Sequence, residues 1–150
     1  MKVTSTTFEP EGHIPLEFTG KGLNRSPQLS WSDAPEETKS FAIIMDDPDV
    51  PNRVFVHWVV FNIPADQRQI DETLQVTFSQ GVNSFGHVGY SGPCPPENAG
   101  PHRYFFTVYA LDTLIDAESG IDANTLENAM EGHILAQASV IGLYEETEHR

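Results

Sequence analysis

The stretch Ile43–Trp58, IIMDDPDVPNRVFVHW, joins two apolar runs through an acidic turn stiffened by proline. The first run, Phe41 to Met45, ends in Asp46, Asp47 and Asp49, interleaved with Pro48 and Pro51. Within the second run, VFVHWVVFNIP, stands a single histidine, His57. Both runs are rich in β-branched and aromatic residues and nearly continuous, the pattern of central strands covered on both faces. Two such strands joined by a tight turn place the three acids and His57 at the same end of one sheet.

Working outward, RYFFTVYALD (Arg103–Asp112) repeats the central-strand pattern, while KVTSTTF and IPLEFTG alternate as half-buried strands. From Gly81 to Pro101 the chain is dense in Gly, Pro, Ser and Asn, and no regular element is expected there. A loop of that length inside a compact domain points to function, and Phe85, His87 and Tyr90 within it argue for order. In the last third, Leu126, Met130, Ile134, Ala138 and Ile141 recur at helical spacing, and Asn124 with Glu127 resembles a capping box. A second short helix is expected near Ile115–Gly120. Strands first and helix last predict a β-rich domain with peripheral helices, spanning 1–150 as one unit.

Composition removes several function classes. The chain carries 8 Lys+Arg against 22 Asp+Glu, a net charge of −14. That field repels nucleic acid and anionic membrane surfaces, so any anion site must be local. The lone cysteine, Cys94, excludes an internal disulfide or a cysteine metal cluster, and between two prolines it reads as an inert small residue. No secretory segment or membrane span is expected, which suggests a cytoplasmic protein. The nucleophile elbow, the phosphate loop, the dinucleotide fingerprint, the HExxH zinc motif and the EF-hand pattern are all missing, and no cofactor or metal is expected.

Two histidines have suggestive settings. His57 alternates with Phe55 and Val59, with Asp47 and Asp49 as nearby partners, and His102 opens the third strand directly after the Gly/Pro loop. With those strands adjacent, Asp47, His57 and His102 converge. A carboxylate beside an imidazole fixes its tautomer and favours the protonated ring, while the glycine-rich YSGP run offers backbone N–H groups to an anion. Plainer readings stay open: His57 as a core histidine bonded to a carbonyl, His102 as a strand cap, the acids as a turn. His13, His87, His133 and His149 read as structural or solvated.

The segments SPQLSW, MDDPDVP, HWVVFNIP, GYSGPCPP, HRYFFTVYALD and GHILAQASVIGLY occur in this order over nearly the whole chain. Together they resemble the phosphatidylethanolamine-binding protein family, in its bacterial and archaeal Raf-kinase-inhibitor-like branch. The resemblance implies a mainly β fold, two antiparallel sheets with a Greek-key-like core and a few peripheral helices. It implies a small pocket for phosphoryl head groups and related anions, walled by Asp47, His57, Gly92, His102, Tyr104 and Tyr144. The expected function is non-enzymatic binding of a small anion, with a kinase or protease as a possible protein partner. The alternative is a hydrolase or lyase using the His/Asp pocket. Asp46 adds a negative charge beside that pocket. The chain stops six residues after Tyr144, where mammalian members continue into a helix. A more open mouth is therefore expected, and a homodimer with the Gly81–Pro101 loop near its contact.

Overall fold

The computed structural model describes residues 1–146; His149 lies outside them. Two antiparallel sheets form the body. The smaller, in order β1-β2-β5, contains β1 (Lys2–Thr4), β2 (Leu29–Ser32) and β5 (Gln69–Ile70). In the larger sheet the order is β6-β4-β3-β7-β8: β3 is Ser40–Asp47, β4 Phe55–Pro64, β6 Ser79–Gln80, β7 His102–Leu111 and β8 Ile134–Tyr144. After β4 the chain crosses back to lay β7 beside β3, the Greek-key-like step.

The strand at the centre, β3, is buried on both faces, as its unbroken apolar run requires. Its Phe41, Ile43 and Met45 join Trp58, Val60, Phe106 and Val108 in a core closed by Val3, Leu29, Trp31 and Ile70 of the small sheet. On the opposite face Ala42, Ile44, Val59 and Phe61 pack under α1 (Ala123–Met130) through Leu126 and Met130.

Five expectations are corrected. The helix ends at Met130, and Ile134–Tyr144 is an eleven-residue strand along β7. Leu126, Met130, Ile134 and Ala138 are spaced by four, and four is also an even number, so the same spacing satisfies strand alternation. Gly132, at φ +82°, is the stop signal. The N-cap is Asp122, whose side chain accepts from the Thr125 N–H at 2.8 Å, rather than Asn124. Near Ile115 no helix forms, because Asn62 holds both backbone groups of Ile115 (2.7 and 2.9 Å). In the IPLEFTG segment, Leu16–Phe18 makes a 3-10 turn, closed by Phe18 N–H to Pro15 and Thr19 N–H to Leu16. Finally β1 stops at Thr4, since Ser5, Thr6 and Thr7 turn to bond Gln28 instead of a strand.

Candidate functional site

Because β3 runs antiparallel to both neighbours, its C-terminal end meets the N-terminal ends of β4 and β7. There a cavity of about 190 Å³ opens, and Asp47, His57, His102 and Tyr104 lie in its wall. The rest of the lining is mainly apolar, including Phe55, Phe85 and Pro95. A largely apolar concavity with a few convergent polar groups is the usual form of a small-molecule site.

The DPD turn ties this end together. His102 Nδ1–H donates to Asp47 Oδ2 at 2.5 Å, with both side chains buried. The other Asp47 oxygen accepts from the Asp49 N–H at 2.8 Å, closing an Asx turn over Pro48. Asp49 in turn accepts the Arg103 N–H (2.8 Å) and both arms of its guanidinium (3.1 and 2.9 Å). Two acids two residues apart thus clasp two consecutive residues of β7. The Arg103 guanidinium holds the Asp49 carboxyl below its ordinary range.

The partner of Asp47 is His102, not His57. His57 Nδ1–H donates to the Ser91 carbonyl at 2.6 Å, the arrangement of a core histidine. Its placement comes from a β-bulge. Met45 pairs with Trp58 and Asp46 with Val56, so His57 is the extra residue on β4. Val59 faces α1, whereas the His57 ring lies 5.3 Å from Tyr104, 5.1 Å from Phe55 and 5.6 Å from Phe85. The bulge therefore turns His57 into the cavity, away from the face that alternation with Val59 assigns it. Burial pushes the ring's pKa down, against the pull of Ser91 and Asp47, and favours the neutral form.

Tyr104 is almost fully buried, yet its hydroxyl bonds no described residue. Among the described residues no enclosed side-chain polar atom lacks a partner, so this hydroxyl opens into the cavity. Burial, then the charge of Asp47, pushes its pKa far up and keeps it a donor. His102 Nε2 likewise has no described partner. Both atoms are free polar groups of the wall.

Gly92 is outside the lining of this cavity. Its N–H donates to Asn24 Oδ1 (2.7 Å), and the Ser91 N–H donates to the His57 carbonyl (3.1 Å). The Ser91 and Gly92 N–H groups of the YSGP run are therefore spent inside the protein. Gly92 must be glycine for packing: a Cβ there would lie 2.2 Å from the Phe18 carbonyl oxygen. Tyr144 pairs with His102 across β7–β8, but its hydroxyl donates to Glu146 at 3.0 Å and it too lies outside the lining.

Sequence reasoning missed Asn83 and Cys94. Asn83 is buried and organises the Gly/Pro loop, accepting from the Phe85 and His87 N–H groups and donating to Gly89 and Ser91. Cys94 is exposed and lines the cavity. Of the remaining histidines, His13 bridges to Leu143, His87 is exposed, and His133 pairs with Asp112 at 2.7 Å on the surface. Among the described residues no group of three or more His, Cys, Asp or Glu side chains is placed to hold a metal ion. None of the described helices is long and apolar enough to cross a membrane.

The chain is thus an antiparallel two-sheet fold with a tethered imidazole in a cavity at its strand ends. Residues 4–145 match the model of the phosphatidylethanolamine-binding protein family, and the chain belongs to that family. It is 47% identical to a UPF0098 protein of Methanothermobacter thermautotrophicus, covering 96% of this chain and 98% of that one. A UPF0098 protein of Aquifex aeolicus is 46% identical, over 96% and 88%. The crystal structure of a phosphatidylethanolamine-binding protein homologue from Chlamydia trachomatis superposes with a TM-score of 0.90 at 39% identity, covering 97% of both chains. YbcL of E. coli, described as a member of the mammalian family, gives 0.89 at 33% identity, over 96% and 97%.

Proposed function

We propose that this protein binds a small anionic ligand of the phosphoryl head-group class, as a binding protein rather than an enzyme. One observation carries the reading: His102, fixed at Nδ1 by Asp47, turns Nε2 into the same apolar-lined cavity as the free Tyr104 hydroxyl. Neutral His102 offers Nε2 as an acceptor; protonated, it offers an N–H whose positive charge the Asp47 carboxylate balances. A phosphoryl monoanion suits both cases. It can bring the proton itself or meet it on the ring, while Tyr104 donates to a second oxygen. The family name and its phosphoryl-bearing ligand agree with this chemistry. Against the net charge of −14, such a pocket selects by contact geometry and not by long-range attraction. A kinase or protease partner, and a cytoplasmic location, are the parts of the proposal that rest on the resemblance and on composition.

Calorimetric titration with inorganic phosphate and with phosphoethanolamine, from about pH 5.5 to 8.5 around the ordinary histidine value, tests the reading. Saturable binding that weakens as pH rises, and that is lost in His102→Gln and weakened in Tyr104→Phe, is expected. Binding that strengthens with pH, or none for either anion, overturns it. The Asp47–His102 pair also favours a second reading, with His102 as an oriented general base in a hydrolase or lyase. Turnover of phosphomonoesters or carboxylic esters, abolished by Asp47→Asn, would support that alternative.

A further inference from the structure

Cys94 stands where two concavities meet. It lines the cavity that holds His57, His102 and Tyr104, and also a neighbouring hollow of about 180 Å³ that includes Gly20, Asn24 and His87. Within the run Gly92 to Pro95 it alone is exposed. Its flanking prolines each have a fixed φ, and the Pro93 carbonyl accepts from the Gly20 N–H at 2.9 Å. A Cβ on Gly20 would lie 3.5 Å from the Cys94 Sγ, so glycine keeps that flank of the thiol open. The backbone is held and the thiol is presented. A buried cysteine is inert, whereas an exposed one is open to exchange.

A second, independent feature marks the same cavity for a ligand. Tyr104 is only 1% exposed, yet its hydroxyl bonds no described residue and opens into that space. Burial, then the charges of Asp47 and Cys94, keeps it protonated, so it faces the cavity as a donor. In the neighbouring hollow the Asn24 Oδ1 and the Gly20 N–H are already bonded, to the Gly92 N–H and the Pro93 carbonyl. The unspent, buried donor is on the Tyr104 side of the thiol. A cavity of about 190 Å³, against the roughly 10–15 Å³ that one water needs, has room for a small organic group there.

We propose that Cys94 is a site of reversible covalent modification, at which a small disulfide bearing a carboxylate docks in the cavity and exchanges with the thiol. The Cys94 thiolate attacks one sulfur of the disulfide, the S–S bond breaks, and a new S–S bond to Sγ forms. The other half leaves as a thiolate and takes up, through water, the proton that Cys94 gave up. The half-molecule left on Sγ occupies the cavity and closes it to other ligands, and an excess of thiol reopens it by the reverse exchange. Only the preference for an anionic disulfide rests on the anion reading; the placement of the thiol does not. That preference is diagnostic, because an ordinary exposed thiol on a chain of charge −14 reacts more slowly with an anionic reagent than with a neutral one. Docking reverses the order.

Dithiodiglycolate and hydroxyethyl disulfide, matched in length but anionic and neutral, test the proposal. Adduct formation is followed by mass spectrometry at one pH, each rate divided by that of a neutral cysteine derivative with the same reagent. Comparing the two reagents cancels the thiol's own ionisation. The expected result is a rate that saturates with dithiodiglycolate and exceeds that of the neutral disulfide by at least about tenfold at low reagent, the signature of a docked reactant. Tyr104→Phe should cut that preference by about threefold to tenfold, the worth of one hydrogen bond. In the adduct the NMR signals of the His57 and His102 rings should shift. A rate that stays linear in reagent and favours the neutral disulfide overturns the proposal. So does an adduct that leaves both ring signals unmoved, since it would lie in the neighbouring hollow. Phosphate titration of the reduced protein separates this from the anion reading: phosphate binding alongside either of those results sinks the modification alone, and no phosphate binding alongside them sinks both.

Discussion

Asp46 and Asp47 are consecutive in β3 and stand on opposite faces of the large sheet. On the front face Asp47 is fully engaged, by His102 on one oxygen and the Asp49 N–H on the other. On the back Asp46 lies near Glu127 of α1 and Tyr109, and no hydrogen bond to its side chain forms among the described residues. Burial, then the charges of Glu127 and Asp47, pushes its carboxyl up to about 6. The same side chain, one residue apart, is on one face the anchor of a site and on the other an unpartnered acid. Partners, not burial alone, decide which buried carboxylate is useful.

The sharpest break in this contrast is Asp47→Ala. It strips the buried His102 of its partner and opens the Asx turn, a loss of about 3–5 kcal/mol, read by urea denaturation, together with loss of anion binding. Wild-type stability in this variant would erase the difference between the faces. On the back face Leu126→Ala leaves a cavity under α1, and about 3 kcal/mol of destabilisation is expected with anion affinity unchanged. A coupled loss of binding would mean that the faces are not independent.

Asp46→Asn is smaller and opposite in sign. The folded carboxyl holds its proton more tightly than the unfolded one, whose value is about 3.9. The stability this group contributes is therefore complete below about pH 4 and is lost as pH rises through about 6. The amide should stabilise the protein at pH 7 by about 1 kcal/mol, after allowance for solvent screening of a partly buried group, and the gain should vanish near pH 4. A gain independent of pH would assign the effect to something other than titration. The finest test carries no stability change: His57 should remain neutral, by NMR of its ring nitrogens, where an ordinary histidine at about pH 6.5 is half protonated. A normal titration curve would place the ring in a wetter, less enclosed setting than the front face provides.

What was legible in the chain divides along the same physical lines. The strands β3, β4 and β7 announce themselves because burial on both faces demands unbroken β-branched and aromatic runs. The meeting of Asp47 and His102 follows from which strand ends their turns occupy. The β-bulge at His57 was not legible, since an extra residue in a ladder has no compositional mark when its neighbours are all apolar. Nor was β8, because a spacing of four fits strand and helix alike, although Gly132 carried the signal to stop. The loop's N–H groups looked free in YSGP, and only the fold reveals Asn24 and the His57 carbonyl as their acceptors.

The clasp between the DPD turn and β7 also bears on how the chain reaches its native state. Asp47 and His102 are 55 residues apart in sequence, so their bond cannot form until β5, β6 and the Gly/Pro loop have been looped out and β7 has docked. Contacts of such long range form late and slow a fold's assembly. A ligand that requires the finished cavity binds only the native chain, and by mass action at a hundredfold excess over its dissociation constant it adds about 2.7 kcal/mol to the native state. Cavity occupancy thus doubles as a gauge of completed folding, and a tight ligand would act as a pharmacological chaperone for destabilised variants such as Leu126→Ala.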